Sequence, residues 1–82
     1  MSMTAQARDF VRVAIGSEHP ARIHEIRPKN NRGLLAGFTI RLGDDADASW
    51  MAADACGFVG EAMTHGEAER MVAAAWLARS PE

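Results

Sequence analysis

The sequence predicts one small α+β domain over residues 1–82, with the element order α-β-β-β-α. Two observations support this fold class. Apolar residues recur at helical spacing near both ends of the chain, and they alternate with other residues in the middle. Turn-forming residues separate the alternating stretches. We therefore expect a three-stranded antiparallel sheet covered on one face by two helices, because so small a sheet needs such cover to be stable.

The first predicted element is a helix over residues 2–15. Ser2 or Thr4 can cap its start, and Gly16 is placed to end it. Its apolar residues share one helical face, which would pack on the sheet: Ala7, Phe10, Val11, Ala14 and Ile15.

Three strands are predicted next, over residues 21–27, 34–42 and 49–59. The second is the clearest, because Phe38 and Ile40 alternate with Thr39 and Arg41. Turn formers at residues 28–33 and 43–47 predict hairpin loops between the strands. The alanines of residues 49–59 leave a helix as the alternative there, although the glycines of this region favour an extended chain.

The last helix is predicted from a capping box at residues 64–67. The Thr64 hydroxyl would accept a hydrogen bond from the Glu67 amide, and the Glu67 carboxylate would accept one from the Thr64 amide. The helix should run to about Arg79, and Ser80 and Pro81 would close it. We expect the core to form chiefly from the larger apolar residues: Phe10, Val11, Ile15, Ile23, Ile26, Leu34, Leu35, Phe38, Ile40, Leu42, Trp50, Phe58, Val59, Met71, Val72, Trp76 and Leu77.

Charge divides unevenly between the two halves of the chain. Up to Gly43 there are seven basic residues against three acidic ones, and from Asp44 onward there are eight acidic residues against two basic ones. The net charge of −2 conceals this division. It predicts surfaces of opposite sign, which affect association but do not identify a partner.

Composition excludes several classes of protein. The single cysteine, Cys56, excludes an internal disulfide framework and a cysteine-rich zinc site. The first residues lack the pattern of a signal peptide, and no apolar run approaches the roughly 20 residues of a membrane span. We therefore expect a soluble cytoplasmic protein with no cofactor and no membrane partner.

The basic half supplies candidate phosphate- or partner-contacting residues: Arg8, Arg12, Arg22, Arg27, Lys29 and Arg32. They could follow a nucleic-acid backbone. The alternative is that they are solvated edge and loop charges, which discourage edge-to-edge aggregation. We favour the alternative, because the sequence pI is about 5.9 and no aromatic residue stands in the cluster from Arg22 to Arg32 to stack a base.

The acidic half offers a candidate interface at Asp44, Asp45 and Asp47. A calcium loop is disfavoured there, because the spacing lacks the glycine and the terminal glutamate of that motif. The two tryptophans, Trp50 and Trp76, are expected in the core, and either would become an interface anchor if exposed.

No catalytic or metal-binding pattern is present. The histidines His19, His24 and His65 and the lone Cys56 do not stand at the spacing of zinc ligands. An arrangement of Cys56 with His65 and Asp54 has no support from spacing, and no phosphate-binding or nucleophile motif occurs. The chain is therefore not expected to be an enzyme.

The predicted layout resembles the double-stranded-RNA-binding domain. Residues 66–77 are similar to that family's alanine-rich last helix, and residues 38–42 resemble its central strand. The family grips phosphates with lysines at the start of its last helix, where this chain has His65, Gly66, Glu67 and Glu69. The resemblance therefore implies the layout and not the RNA-binding function.

These observations predict a small non-catalytic binding or adaptor protein that acts through protein–protein contacts as a homodimer. The chain is barely large enough for a self-sufficient core, and a dimer would bury additional surface. Two alternatives are a nucleic-acid-binding module that uses the basic half and a phage or mobile-element inhibitor that docks on a nucleoprotein complex.

Overall fold

The computed structural model describes residues 9–79. Five antiparallel strands form one sheet in the order β1-β2-β3-β4-β5, so that each strand pairs with its neighbours along the chain. One helix follows the last strand. The elements are β1 Phe10–Ile15, β2 Ile23–Pro28, β3 Gly37–Arg41, β4 Trp50–Asp54, β5 Gly57–Ala62 and α1 His65–Arg79.

The α+β class with an antiparallel sheet is confirmed, but the α-β-β-β-α layout and its likeness to the double-stranded-RNA-binding domain are wrong. In place of the first helix, Phe10–Ile15 forms strand β1, paired with β2 from Phe10↔Pro28 to Ile15↔Ile23. The β-branched residues Val11, Val13 and Ile15 lie on one face of that strand, and they favour extended chain. The remainder of the predicted helix, with its caps, lies outside the described residues.

The third predicted strand is a hairpin rather than one element. Residues 50–54 and 57–59 are extended, as expected, but the chain reverses between β4 and β5. The Asp54 side chain accepts a hydrogen bond from the Cys56 amide at 2.8 Å, and Gly57 has a φ of 128°. An aspartate that closes a turn on its own backbone, followed by a glycine in this conformation, makes the tight connection.

Helix α1 begins where it was predicted. The Glu67 amide donates to the Thr64 hydroxyl at 3.2 Å, as the capping box requires. The Glu67 carboxylate accepts from the Met63 amide at 3.2 Å, one residue before the predicted partner. The predicted stop at residues 80 and 81 lies outside the described residues.

The side of the sheet that faces α1 carries small residues together with the larger Phe10, Ile26 and Trp50. One row of cross-strand neighbours on this side runs through Ala14, His24, Thr39, Ala52 and Gly60. The helix packs on β3, β4 and β5. The buried core cluster consists of Ile26, Ala36, Ala52, Ala68 and Val72. Three of these five residues are alanines, so the helix and the sheet approach each other closely and the core between them is small.

The other side of the sheet is not covered by α1, and it too carries large apolar residues. One row of neighbours there runs through Ile15, Ile23, Ile40, Met51 and Glu61. A second row runs through Val13, Glu25, Phe38, Ala53 and Phe58. We call these two rows, together with the neighbouring pair Val11 and Arg27, the open face. The predicted core is therefore wrong for several residues that are largely exposed: Ile15, Leu34, Leu42, Phe58 and Leu77.

Candidate interaction surface

The open face presents apolar side chains to solvent in a contiguous patch. Phe58 is 69% exposed, Val13 is 40% exposed and Ile15 is 39% exposed. Phe38 and Ile40, on the central strand, are half-buried by their neighbours on the same face. The patch arises because side chains alternate across a strand and α1 covers only one side. Contiguous apolar patches on a protein surface mark sites of interaction.

The charge within the open face is largely neutralised. Glu25 and Arg27 on β2 form an ion pair, with 3.0 Å between Nε of the arginine and Oε1 of the glutamate. The Arg27 guanidinium also donates to the backbone carbonyls of Arg32 and Leu34. Arg27 therefore holds the end of the β2–β3 loop against the sheet. A partner that covers this pair need not supply a compensating charge.

The two ends of the open face differ in charge. Loop 29–36 precedes β3 and carries the exposed Lys29 and Arg32, which we call the basic end. Asp9, beside Lys29, and Asp54, at the end of β4, nevertheless lie at the same end of the sheet. Loop 42–49 follows β3 and carries the exposed Asp45 and Asp47. With Glu61 of β5, these two aspartates line one shallow hollow, which we call the acidic end. Since β3 runs from one loop to the other, the basic end and the acidic end are separated along the strand direction by the length of β3.

The six basic residues considered as candidate contacts do not share a single surface. Arg8 lies outside the described residues. Arg12 on β1 points to the helix side, where its guanidinium donates to both carboxylate oxygens of Glu69. Arg22 donates to Asp44, and it also lies 3.8 Å from Glu18. The structure brings together only Arg27, Lys29 and Arg32, at the basic end.

The predicted acidic and aromatic residues are likewise divided. Asp44 is engaged by Arg22, and the pKa of Asp44 is lowered by that hydrogen bond and by the arginine's charge. Trp50 on the helix side of the sheet and Trp76 on α1 are half-buried and pack against the core cluster. Neither belongs to the open face, where the aromatic residues are Phe38 and Phe58.

A cluster that the sequence did not reveal lies at the start of α1. The ring of His65 stacks on Trp50, with centroids 3.8 Å apart, and it lies 4.7 Å from the ring of His24. His65 Nε2 shares a hydrogen bond with the Thr39 hydroxyl at 2.7 Å. His65 is half-buried. The four-residue spacing of His65 and Glu69 was the available signal, because it places both on one helical face.

Both histidines of this cluster resist protonation. Burial lowers the pKa of His65 to about 4, with a further lowering from the Arg12 charge that the Glu69 carboxylate partly offsets. Burial and the same guanidinium lower the pKa of His24. Among residues 9–79, the buried Nδ1 of His24 meets no hydrogen-bond partner. The neutral rings are therefore part of the packing between α1 and the sheet.

We expect the free energy of unfolding to fall as the pH is lowered from about 6.5 to about 4. The unfolded chain takes up protons on these rings first, because its histidines keep the ordinary pKa of 6.5. For the half-exposed His65 ring the loss should be about 2 kcal/mol after allowance for solvent screening. Urea unfolding at several pH values measures it. The His65→Gln variant should show a flatter dependence, and an equal slope in the two proteins would contradict this assignment.

No protein-family model, curated protein or solved structure matches the chain. Within residues 9–79, no helix is long and apolar enough to cross a membrane. In the same part of the chain, no group of three or more histidine, cysteine, aspartate or glutamate residues is placed to hold a metal ion.

Proposed function

We propose that this chain is a small non-catalytic binding protein that acts by protein–protein contact through its open face. The observation that carries the proposal is the distribution of apolar side chains over the sheet. On the open face Val13, Ile15 and Phe58 are 40%, 39% and 69% exposed. They lie beside the half-buried Phe38 and Ile40. Apolar area stabilises a protein when it is buried, so folding alone gains nothing from apolar side chains left exposed on one face.

The charge distribution supports protein docking ahead of nucleic-acid binding. Arg12, Arg22 and Arg27 are each engaged by a carboxylate of the same chain. Binding of a phosphate backbone would have to compete with those pairs. An apolar face with a neutralised ion pair instead suits a partner that offers apolar surface of its own.

The test is capture of partners by the immobilised chain from an extract of the cells that encode it. The Phe58→Ser variant removes an aromatic side chain from the open face, and Met63→Ser makes a similar change at a site that is 80% exposed and lies just before α1. Both side chains are exposed, so both variants should keep the fold. We expect Met63→Ser to retain the same partner as the unmodified chain, and Phe58→Ser to retain about tenfold less.

Equal retention by the Phe58→Ser and Met63→Ser proteins would contradict the assignment of the open face. Absence of any protein retained by the unmodified chain would contradict the proposal as a whole.

A further inference from the structure

We infer that the partner on the open face is a second copy of this chain, packed face to face in the reverse direction. Each copy then sets its basic end against the acidic end of the other. This inference rests on the proposed function and names the partner for the same surface.

Charge complementarity favours the reversed arrangement. A two-fold axis that lies between the sheets and across the strands turns loop 29–36 of one copy toward loop 42–49 of the other. Lys29 and Arg32 of one protomer then face Asp45 and Asp47 of its partner, and the same contact occurs again at the other end. A two-fold axis along the strands would instead place the two basic ends together, and also the two acidic ends. Like charges at such distances are repulsive.

The middle of the face is suited to close contact between identical sheets. Sheets that pack face to face lie about 10 Å apart with strand directions within about 30°, an angle set by the twist of each sheet. Two copies of one sheet have the same twist. Phe38 and Ile40 lie on the central strand, where the two faces would meet, and the Glu25–Arg27 pair brings no net charge into the contact.

The size of the face matches a dimer of moderate affinity. Five strands about 4.8 Å apart, each with five or six residues at about 3.3 Å, give a projected area of roughly 450 Å². Two such faces, with the loops at both ends, bury roughly 1,000 Å² in total. That value reaches the lower bound for specific interfaces, so we expect a dissociation constant in the micromolar range.

Two charge-reversed variants test the orientation directly. The acidic variant carries Lys29→Glu and Arg32→Glu, so both of its ends are acidic. The basic variant carries Asp45→Lys and Asp47→Lys, so both of its ends are basic. All four residues are exposed in loops, which keeps the changes away from the core. Arg70→Glu, an exposed reversal on α1, is the matched control.

Sedimentation equilibrium of the full chain over a concentration series gives the association constant of each protein and of mixtures. The unmodified chain and Arg70→Glu should approach twice the 8.9 kDa chain mass with equal affinity. Each charge-reversed variant alone should dimerise at least about tenfold more weakly. An equimolar mixture of the acidic and basic variants should recover most of the original affinity, because their unlike ends face each other. Salt near about 1 M should reduce these differences.

Two outcomes would overturn the inference. The first is an unmodified chain that stays at monomer mass up to about 500 µM, well above the affinity expected for this area. The second is a mixture that associates no better than either variant alone. Neither outcome contradicts the proposed function. That proposal fails only if the Phe58→Ser and Met63→Ser proteins retain a partner equally, or if the unmodified chain retains no protein.

Discussion

Replacement of Gly37 by alanine should lower the free energy of unfolding by about 3 kcal/mol. Gly37 lies on β3 beneath α1, and a methyl group there would overlap the backbone carbonyl oxygen of Ala53 and approach Cγ1 of Val72 to 2.8 Å. Backbone atoms of a paired strand cannot yield without disturbing the sheet. Val72 is fully buried in the core cluster, so it too has little room to move. Urea unfolding monitored by circular dichroism measures the loss.

Gly60→Ala is the matched control for this prediction. A methyl group at Gly60 would overlap only the terminal methyl of Met71, which lies at the end of a flexible side chain. We expect a cost below about 1 kcal/mol, because the side chain can rotate away. Alanine also reduces the entropy of the unfolded chain and thereby stabilises a strand. A Gly37→Ala protein as stable as the unmodified chain would show that α1 does not approach β3 as closely as described.

Replacement of Arg12 by leucine should cost about 2 to 3 kcal/mol of unfolding free energy. The Glu69 side chain is only 7% exposed, and Arg12 donates to both of its carboxylate oxygens. Removal of the guanidinium leaves a buried carboxylate without that compensation. The figure lies below the range for fully buried pairs, because the Arg12 side chain is 47% exposed and water can enter in its place. Since α1 packs on β3, β4 and β5, this pair also ties the edge strand β1 to the helix.

The double variant Arg12→Leu with Glu69→Leu should recover to within about 1 kcal/mol of the unmodified chain. Two apolar side chains can replace a buried ion pair at little cost, whereas a single charge left behind is expensive. Chemical unfolding of all four proteins completes a double-mutant cycle. Additive losses in the two single variants, with no recovery in the double one, would contradict the assigned coupling.

Local sequence determines some elements of this fold and not others. Helix α1 is predictable, because Thr64 and Glu67 form its cap within one turn of chain. Strand β1 is not, because Val11 and Ile15 fit helical spacing as well as strand alternation. Pairing with β2 decides between the two, and that pairing joins residues up to 18 positions apart, as in Phe10↔Pro28. The β4–β5 hairpin was not predicted, because it lies in an alanine-rich stretch without a strong turn signal. Its turn depends on Asp54 and Gly57.

The sequence of a single strand does not show which face of the sheet becomes the candidate surface. Alternation shows that Phe38 and Ile40 share a face, but it does not show which face a helix covers. Because Phe10–Ile15 forms a strand and not a helix packed on the sheet, several residues expected in the core lie on the open face instead. Arg12 was only a candidate for contact with phosphate or a partner, and its pairing with Glu69 joins residues 57 positions apart. The division of charge between the two halves was evident in the sequence. The sheet places the basic loop 29–36 and the acidic loop 42–49 at opposite ends of β3.

The most direct measurement is a methyl spectrum of the isoleucine-labelled chain at increasing concentration. The chain has four isoleucines. Ile15, Ile23 and Ile40 lie in one row of the open face, whereas Ile26 is fully buried in the core cluster. Between about 20 µM and about 500 µM, a range that spans the expected affinity, the three open-face signals should shift together while Ile26 stays in place. Four signals that remain fixed over this range, or a shift confined to Ile26, would contradict the docking of a second copy on the open face.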